Sequence, residues 1–235
     1  QDFNFFYNKN SSEFIRNLIT ESDQFVAYLV SALKITLEIV ILIGIFCFLA
    51  YINVYFAFLV LMVLLFFSSL YFFLLKDKLS IWGHQRQLNV QKLIQFIQEG
   101  FGGIKIIKLL GREKFFFNKF KFHNFNLSKI STKTYFFQNV PRLLFELVGI
   151  FSITFSLFFL YYSGKTLIEI TQILSIYVAA SFRILPSVSK ITQSLQSIEF
   201  HYPVINVLYN ELKSFKKVSQ PSNEKFSFNK NIFVD

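Results

Sequence analysis

IVILIGIFCFLAYINVYFAFLVLMVLLFFSSLYFFLL, residues 39–75, runs for 37 positions without one Asp, Glu, Lys or Arg. One helical crossing of a bilayer takes about 20 apolar residues. A single tilted helix of this length would overrun the hydrocarbon layer. Asn53, set between Tyr51 and Tyr55, supplies a polar turn near the middle. The stretch therefore reads as two crossings joined by a very short loop, at about 36–51 and 54–75. Lipid offers the backbone no hydrogen-bond partner, so each crossing must be a helix that satisfies its own N–H and C=O groups. The first helix extends back to about Ser22, outside the membrane.

Working outward, a second uncharged run covers residues 147–164, with Phe151, Phe155, Phe158 and Phe159 along it. It reads as a third crossing. Residues 170–182 form a weaker uncharged run before Arg183. The chain needs a route back after the third crossing, so 167–185 is taken as a fourth. The fold class is thus an all-α membrane protein, a polytopic bundle of four transmembrane helices with long cytoplasmic helical extensions.

Composition agrees. Of 235 residues, 53% are hydrophobic and only 16% charged, against about 25% charged in soluble domains. Mean hydropathy is +0.45. The net charge of +10 could suit nucleic acid, an acidic substrate or an anionic membrane face. Its placement beside the apolar runs favours the membrane and argues against nucleic acid. Cys47 is the one cysteine, which excludes an internal disulfide and a cysteine-based metal site. His84, His123 and His201 stand far apart without acidic neighbours at ligand spacing, so no metal site is expected. The chain begins at Gln1 without a signal-peptide pattern and reads as a piece of a longer protein.

The charges also orient the bundle. Residues 76–142 carry 13 Lys and Arg but three acids, Asp77, Glu99 and Glu113. The opposite loops hold little beyond Asn53, Lys165 and Glu169. Basic loops stay in the cytoplasm, which puts the basic segment and both chain ends there. Within it Val90, Leu93, Ile94, Ile97 and Phe101 recur at helical spacing, up to Gly100, Gly102 and Gly103. Another helix runs from about Lys114 to Pro141. A helix from Val54 to Glu99 would be ~70 Å long, so two membrane helices should project into the cytoplasm, joined by a short element near 104–113. Beyond the fourth crossing, Arg183, Ser187, Lys190, Ser194, Ser197 and His201 form one helical stripe. Ile184, Val188, Ile191, Leu195 and Ile198 form another. The polar stretch 213–225 with Pro221 reads as a linker, and 226–235 as the first strand of a further domain.

Two pairs at four-residue spacing, Lys34 with Glu38 and Arg142 with Glu146, can form ion pairs along their helices. Arg183 sits at the cytoplasmic end of a crossing. A charge there either lines a cavity or snorkels to lipid phosphate. Gly164-Lys165-Thr166 has the look of a phosphate-loop tail. The pattern needs a glycine five residues before Gly164, where Phe159 stands. No other phosphate loop, catalytic triad or carboxylate pair occurs, so the chain carries no catalytic residues of its own.

Gly103-Ile-Lys-Ile-Ile-Lys-Leu-Leu-Gly-Arg-Glu-Lys-Phe-Phe-Phe117 resembles the second cytoplasmic loop of ABC exporters, whose short coupling helix contacts the ATPase domain. Asn10-Ser-Ser-Glu-Phe-Ile-Arg-Asn-Leu-Ile-Thr-Glu-Ser-Asp23 resembles their first coupling loop. Ile184-Leu-Pro-Ser-Val-Ser-Lys-Ile191 resembles the end of the sixth crossing, and 226–234 the opening strand of the nucleotide-binding domain. The resemblance covers nearly the whole chain in the right order. It implies that residues 1–212 hold crossings three to six of the family's six, in a dimer with a second copy. ATP and Mg would bind in nucleotide-binding domains, and no cofactor in this chain. Asn10, Ser11, Glu13, Arg16, Lys105, Lys108, Arg112 and Glu113 would be the coupling residues; the alternative is a basic loop resting on anionic lipid. Arg-Ile-Leu-Pro-Ser-Val-Ser-Lys-Ile, followed by Tyr-Pro-Val-Ile-Asn-Val-Leu-Tyr, resembles PglK-type flippases. That implies a lipid-linked oligosaccharide as substrate, a bacterial inner-membrane location, and a cavity in which Arg183, Arg142 and Lys190 face pyrophosphate oxygens. Export of another lipid, a peptide or a drug is the nearest alternative. A membrane-embedded glycan enzyme fits less well, because such enzymes place acids in loops that here are acid-poor. A helical scaffold is the third possibility.

Overall fold

A computed structural model describes residues 11–52, 54–162 and 167–214, and every described element is helical. Helix α1 (Ser11–Ile15) passes through a π-helical stretch (Arg16–Glu21) into α2 (Ser22–Ile52). Helix α3 is Val54–Gly102, α4 Ile104–Leu109, α5 Glu113–Tyr162 and α6 Leu167–Ser214. Helix α2 ends at Ile52 and α3 begins at Val54; the polar turn expected at Asn53 lies outside the described residues. Among the described residues three stretches are long and apolar enough to cross a bilayer: Ser11–Tyr51, Glu113–Phe155 and Ile170–Lys213. They overlap three of the four expected crossings, the third crossing only at 147–155; the remaining one, 54–75, is the first part of α3 and is not among them. The linker and strand expected beyond Ser214, and the Gly164-Lys165-Thr166 segment, lie outside the described residues.

Helix α6 is the central element, packed against α2, α3 and α5. Its Val188 joins Leu64 of α3 and Phe145 of α5 in the buried cluster, with Leu42, Ile184 and Leu185 around them. Apolar contact between helices gains little in lipid, which is equally apolar. Close approach and polar contacts count for more there. At Gly83, α3 passes so near α6 that a methyl would overlap the Phe200 carbonyl. Ser68 and Thr192 share a buried hydrogen bond of 2.7 Å between the same two helices.

Pro141 lies inside α5 and is fully buried. Proline has no N–H, so the carbonyl four residues earlier, Phe137, loses its helical partner. The Tyr71 hydroxyl of α3 donates to that oxygen at 2.8 Å. The sequence thus breaks one helical bond and the neighbouring helix replaces it.

Beyond the apolar segments α3 and α5 continue side by side as one arm. Trp82 meets Phe137 with ring centroids 5.6 Å apart, and Phe96 stacks on His123 at 5.6 Å. His123 also hydrogen-bonds Asn89 at 3.0 Å. At the tip, α4 ends where the chain turns left-handed at Gly111, φ 61°. Arg112 N–H reaches Ile107 O at 3.0 Å and Gly111 N–H reaches Lys108 O at 3.3 Å. This pair of bonds closes a helix onto a glycine that alone takes a positive φ without strain.

Candidate functional site

Two polar regions stand out, one at the ends of the apolar segments and one along the arm. The first is a cleft of about 360 Å³ walled by Ser31, Lys34, Leu37 and Glu38 of α2, Gln138 of α5, and Lys190, Gln193, Ser194 and Ser197 of α6. Lys190 Nζ donates to Glu38 Oε1 at 3.0 Å. The Glu38 side chain is 9% exposed and that of Lys190 54% exposed, so the acid is sunk and the ammonium faces outward. Arg183 and Ser187 precede Lys190 on the same face of α6, and Glu38 Oε2 and Ser187 Oγ are buried without a hydrogen-bond partner among the described residues. Ser31 bridges α2 to α6 at 2.9 Å through Ser197.

The ion pair expected within α2, Lys34 with Glu38, does not form. Glu38 turns to α6 and takes Lys190. Both lysines are exposed and both wall the cleft; the buried carboxylate faces α6 and pairs with the lysine that α6 carries across the interface. The expected pair Arg142–Glu146 does form, at 3.0 Å, with both side chains mostly exposed. Of the three cavity candidates, Lys190 lines the cleft, while Arg183 and Arg142, both exposed, lie outside its walls. The two stripes of α6 are less distinct than their spacing suggests. Ser187, Ser189, Thr192, Ser194 and Gln196 are as buried as Val188. Polar side chains fill helix interfaces that a soluble helix would fill with Leu.

Along the arm the first coupling segment is held inward. Arg16 is 5% exposed; its Nη1 donates to Gln91 at 2.7 Å and its Nη2 to Asn17 at 2.7 Å. Asn17 in turn bonds Glu211 near the end of α6. Glu21, fully buried, accepts from Arg86 Nη2 and Gln87 Nε2 at 3.0 Å each through Oε2. Its other oxygen lies 3.7 Å from Arg16 Nε. Burial lowers the Arg86 pKa against the raising pull of Glu21; the guanidinium stays charged all the same. Arg16 is therefore a brace within the arm. Glu13, half-buried, is 3.9 Å from Arg16, and exposed Ser11 donates to Gln98 at 3.4 Å. Asn10 lies outside the described residues.

The second coupling segment is different. Lys105, Lys108, Arg112 and Glu113 are all exposed around α4. Behind them lies an apolar groove of about 520 Å³, walled among others by Phe96, Phe101, Ile107, Phe116 and Phe120. A charged cap over aromatic side chains suits contact with another protein surface.

Nothing in the sequence marked Glu21, Arg86, Gln87 or Gln91. Their only signal is polarity: Glu21 stands among Arg16, Thr20, Ser22 and Asp23, and Arg86 between Gln85 and Gln87, patterns that a solvated helix would share. The Glu38–Lys190 contact spans 152 positions and leaves no trace in local spacing. Long apolar helices place the chain in a membrane, and an exposed short helix caps a basic arm made of two of them. The transmembrane region of ABC transporters matches by family model over residues 1–185, and the chain belongs to that family.

Proposed function

We propose that this chain is the membrane-spanning part of an ATP-driven exporter that flips a lipid-linked oligosaccharide outward across a bacterial inner membrane. In this reading four helices cross, with 54–75 of α3 as the second, and both chain ends are cytoplasmic. The chain works as a dimer. Family members of this kind act with nucleotide-binding domains, which here would hold ATP and Mg. Lys105, Lys108, Arg112 and Glu113 on α4 would touch those domains directly, with Ser11 and Glu13 beside them. Arg16 would stiffen the arm that carries the push.

One observation carries the substrate class: two lysines, Lys34 and Lys190, line a polar cleft where helices α2, α5 and α6 leave their apolar segments, with Arg183 two helical turns before Lys190 on α6. An amphipath whose tail stays in lipid would present its acidic head at that depth. Diphosphate oxygens are matched by ammonium and guanidinium donors.

The test is ATP-dependent translocation in proteoliposomes holding the transporter with its nucleotide-binding domains. A polyprenyl-diphosphate-linked saccharide should move, and free polyprenol should not. Arg183→Ala should cut transport about tenfold. Equal transport of neutral and acidic lipids, or full transport by Arg183→Ala, would sink the proposal.

A further inference from the structure

Glu38 of α2 and Lys190 of α6 form an ion pair in the wall of the cleft. We propose that the cleft between α2, α5 and α6 is a loading site for an acidic head group, phosphate or diphosphate, and that Glu38 is the internal counter-ion this group displaces from Lys190. The inference rests on the reading of the chain as an exporter of an acidic amphipath, and adds how the head group is received.

The cleft has the required donors. Lys34 forms no ion pair among the described residues, and Lys190 turns an exposed ammonium toward the opening. Gln138 and Gln193 bring carboxamides from α5 and α6. Glu38 is the single acid in the walls. A volume of about 360 Å³ falls within the range of small-ligand sites, about 300–1,000 Å³.

Displacement must not strand a buried carboxylate, since an unpaired buried charge is costly. Here it would not be stranded. Glu38 Oε2 and Ser187 Oγ are buried without a hydrogen-bond partner among the described residues, and Arg183 and Ser187 share a face of α6 with Lys190, so the carboxylate can turn to them as the incoming anion takes Lys190. One ion pair is exchanged for two. The exchange also loosens a strap: Lys190–Glu38 joins α6 to α2, four residues beyond Pro186 in α6. A helix already missing one internal bond there is released when the strap opens, so loading and helix movement become one event.

The experiment measures concentration dependence of ATPase stimulation in the detergent-solubilised transporter, with farnesyl diphosphate, inorganic diphosphate and farnesol as probes. Glu38→Gln removes the competing charge and should lower the half-stimulating farnesyl diphosphate concentration at least threefold. Lys190→Gln should raise it at least tenfold, and Lys190→Arg should restore it. The opposite trend, or no change in any of the three variants while the unsubstituted transporter responds, overturns the inference and leaves the exporter reading intact. No response to any acidic probe in the unsubstituted transporter overturns both. Equal potency of inorganic and farnesyl diphosphate assigns the cleft to a soluble anion, while farnesyl diphosphate acting alone assigns it to a lipid head group.

Discussion

Tyr71→Phe removes a single oxygen atom, and the structure says what that atom does. Tyr71 Oη donates at 2.8 Å to the carbonyl of Phe137, which Pro141 leaves without its helical partner. A neutral hydrogen bond contributes about 1 kcal/mol net, and a buried carbonyl left bare costs about 1–3 kcal/mol. Interhelical hydrogen bonds in membranes average about 0.6 kcal/mol and reach about 1.7. Tyr71 is only half-buried, so the loss should be about 1 kcal/mol. The assay is a four-member cycle of unfolding in mixed micelles: the unsubstituted chain, Tyr71→Phe, Pro141→Ala and both. Alanine at 141 restores an N–H that can bond the Phe137 carbonyl within α5. Tyr71→Phe should then cost close to nothing in the alanine background, and the coupling should approach 1 kcal/mol. The cost of Pro141→Ala alone also includes repacking at a fully buried position and does not enter the argument. Additive effects, with Tyr71→Phe equally harmful in both backgrounds, would refute the idea that α3 repairs the break in α5.

Three further outcomes follow from packing and charge. Glu21→Ala leaves the buried Arg86 without its acid, which should cost about 3–5 kcal/mol; the double replacement Glu21→Leu with Arg86→Met should recover most of it, and a single variant within 1 kcal/mol of normal by the same titration would contradict the buried node. Gly83→Ala drives a methyl into the Phe200 carbonyl and should cost about 1–3 kcal/mol as α3 and α6 separate, whereas a neutral result would show a looser crossing. Arg142→Ala breaks only an exposed i,i+4 pair, so its stability should change by no more than about 0.5 kcal/mol; a larger loss would mean that Arg142 has a buried partner.

How much of this was visible in the sequence depends on range. The end of α2 at Ile52, the length of α3 and the short α4 follow from local pattern: an apolar run too long for one crossing, a 3.6-residue repeat and closely spaced glycines. Gly111 belonged to a stretch whose resemblance to a coupling loop implied a short helix, and its φ of 61° gives the reason for a glycine there. The contacts that hold the arm were not visible. Glu21 with Arg86 and Asn17 with Glu211 join positions 65 and 194 residues apart, and each side chain alone looks like an ordinary solvated polar residue. Spacing misled at Glu38, because an i,i+4 neighbour is the nearest cation in sequence while Lys190 is the nearest across the helix interface. Lys105, Lys108 and Arg112 were legible as exposed, but Arg16 in the first coupling loop was not legible as buried, since its partner Gln91 lies 75 residues away.

The account depends above all on which side of the membrane holds the basic arm. Cys47 is the chain's one cysteine, so Cys47→Ala gives a clean background for single engineered thiols. Ile106→Cys on α4 and Tyr51→Cys at the end of α2 both replace exposed side chains, 63% and 92% accessible. A membrane-impermeant maleimide applied to intact cells should label Tyr51→Cys at once and Ile106→Cys only after the cells are permeabilised. Labelling of Ile106→Cys from outside, with Tyr51→Cys protected, would invert the topology and contradict the exporter mechanism proposed for this chain.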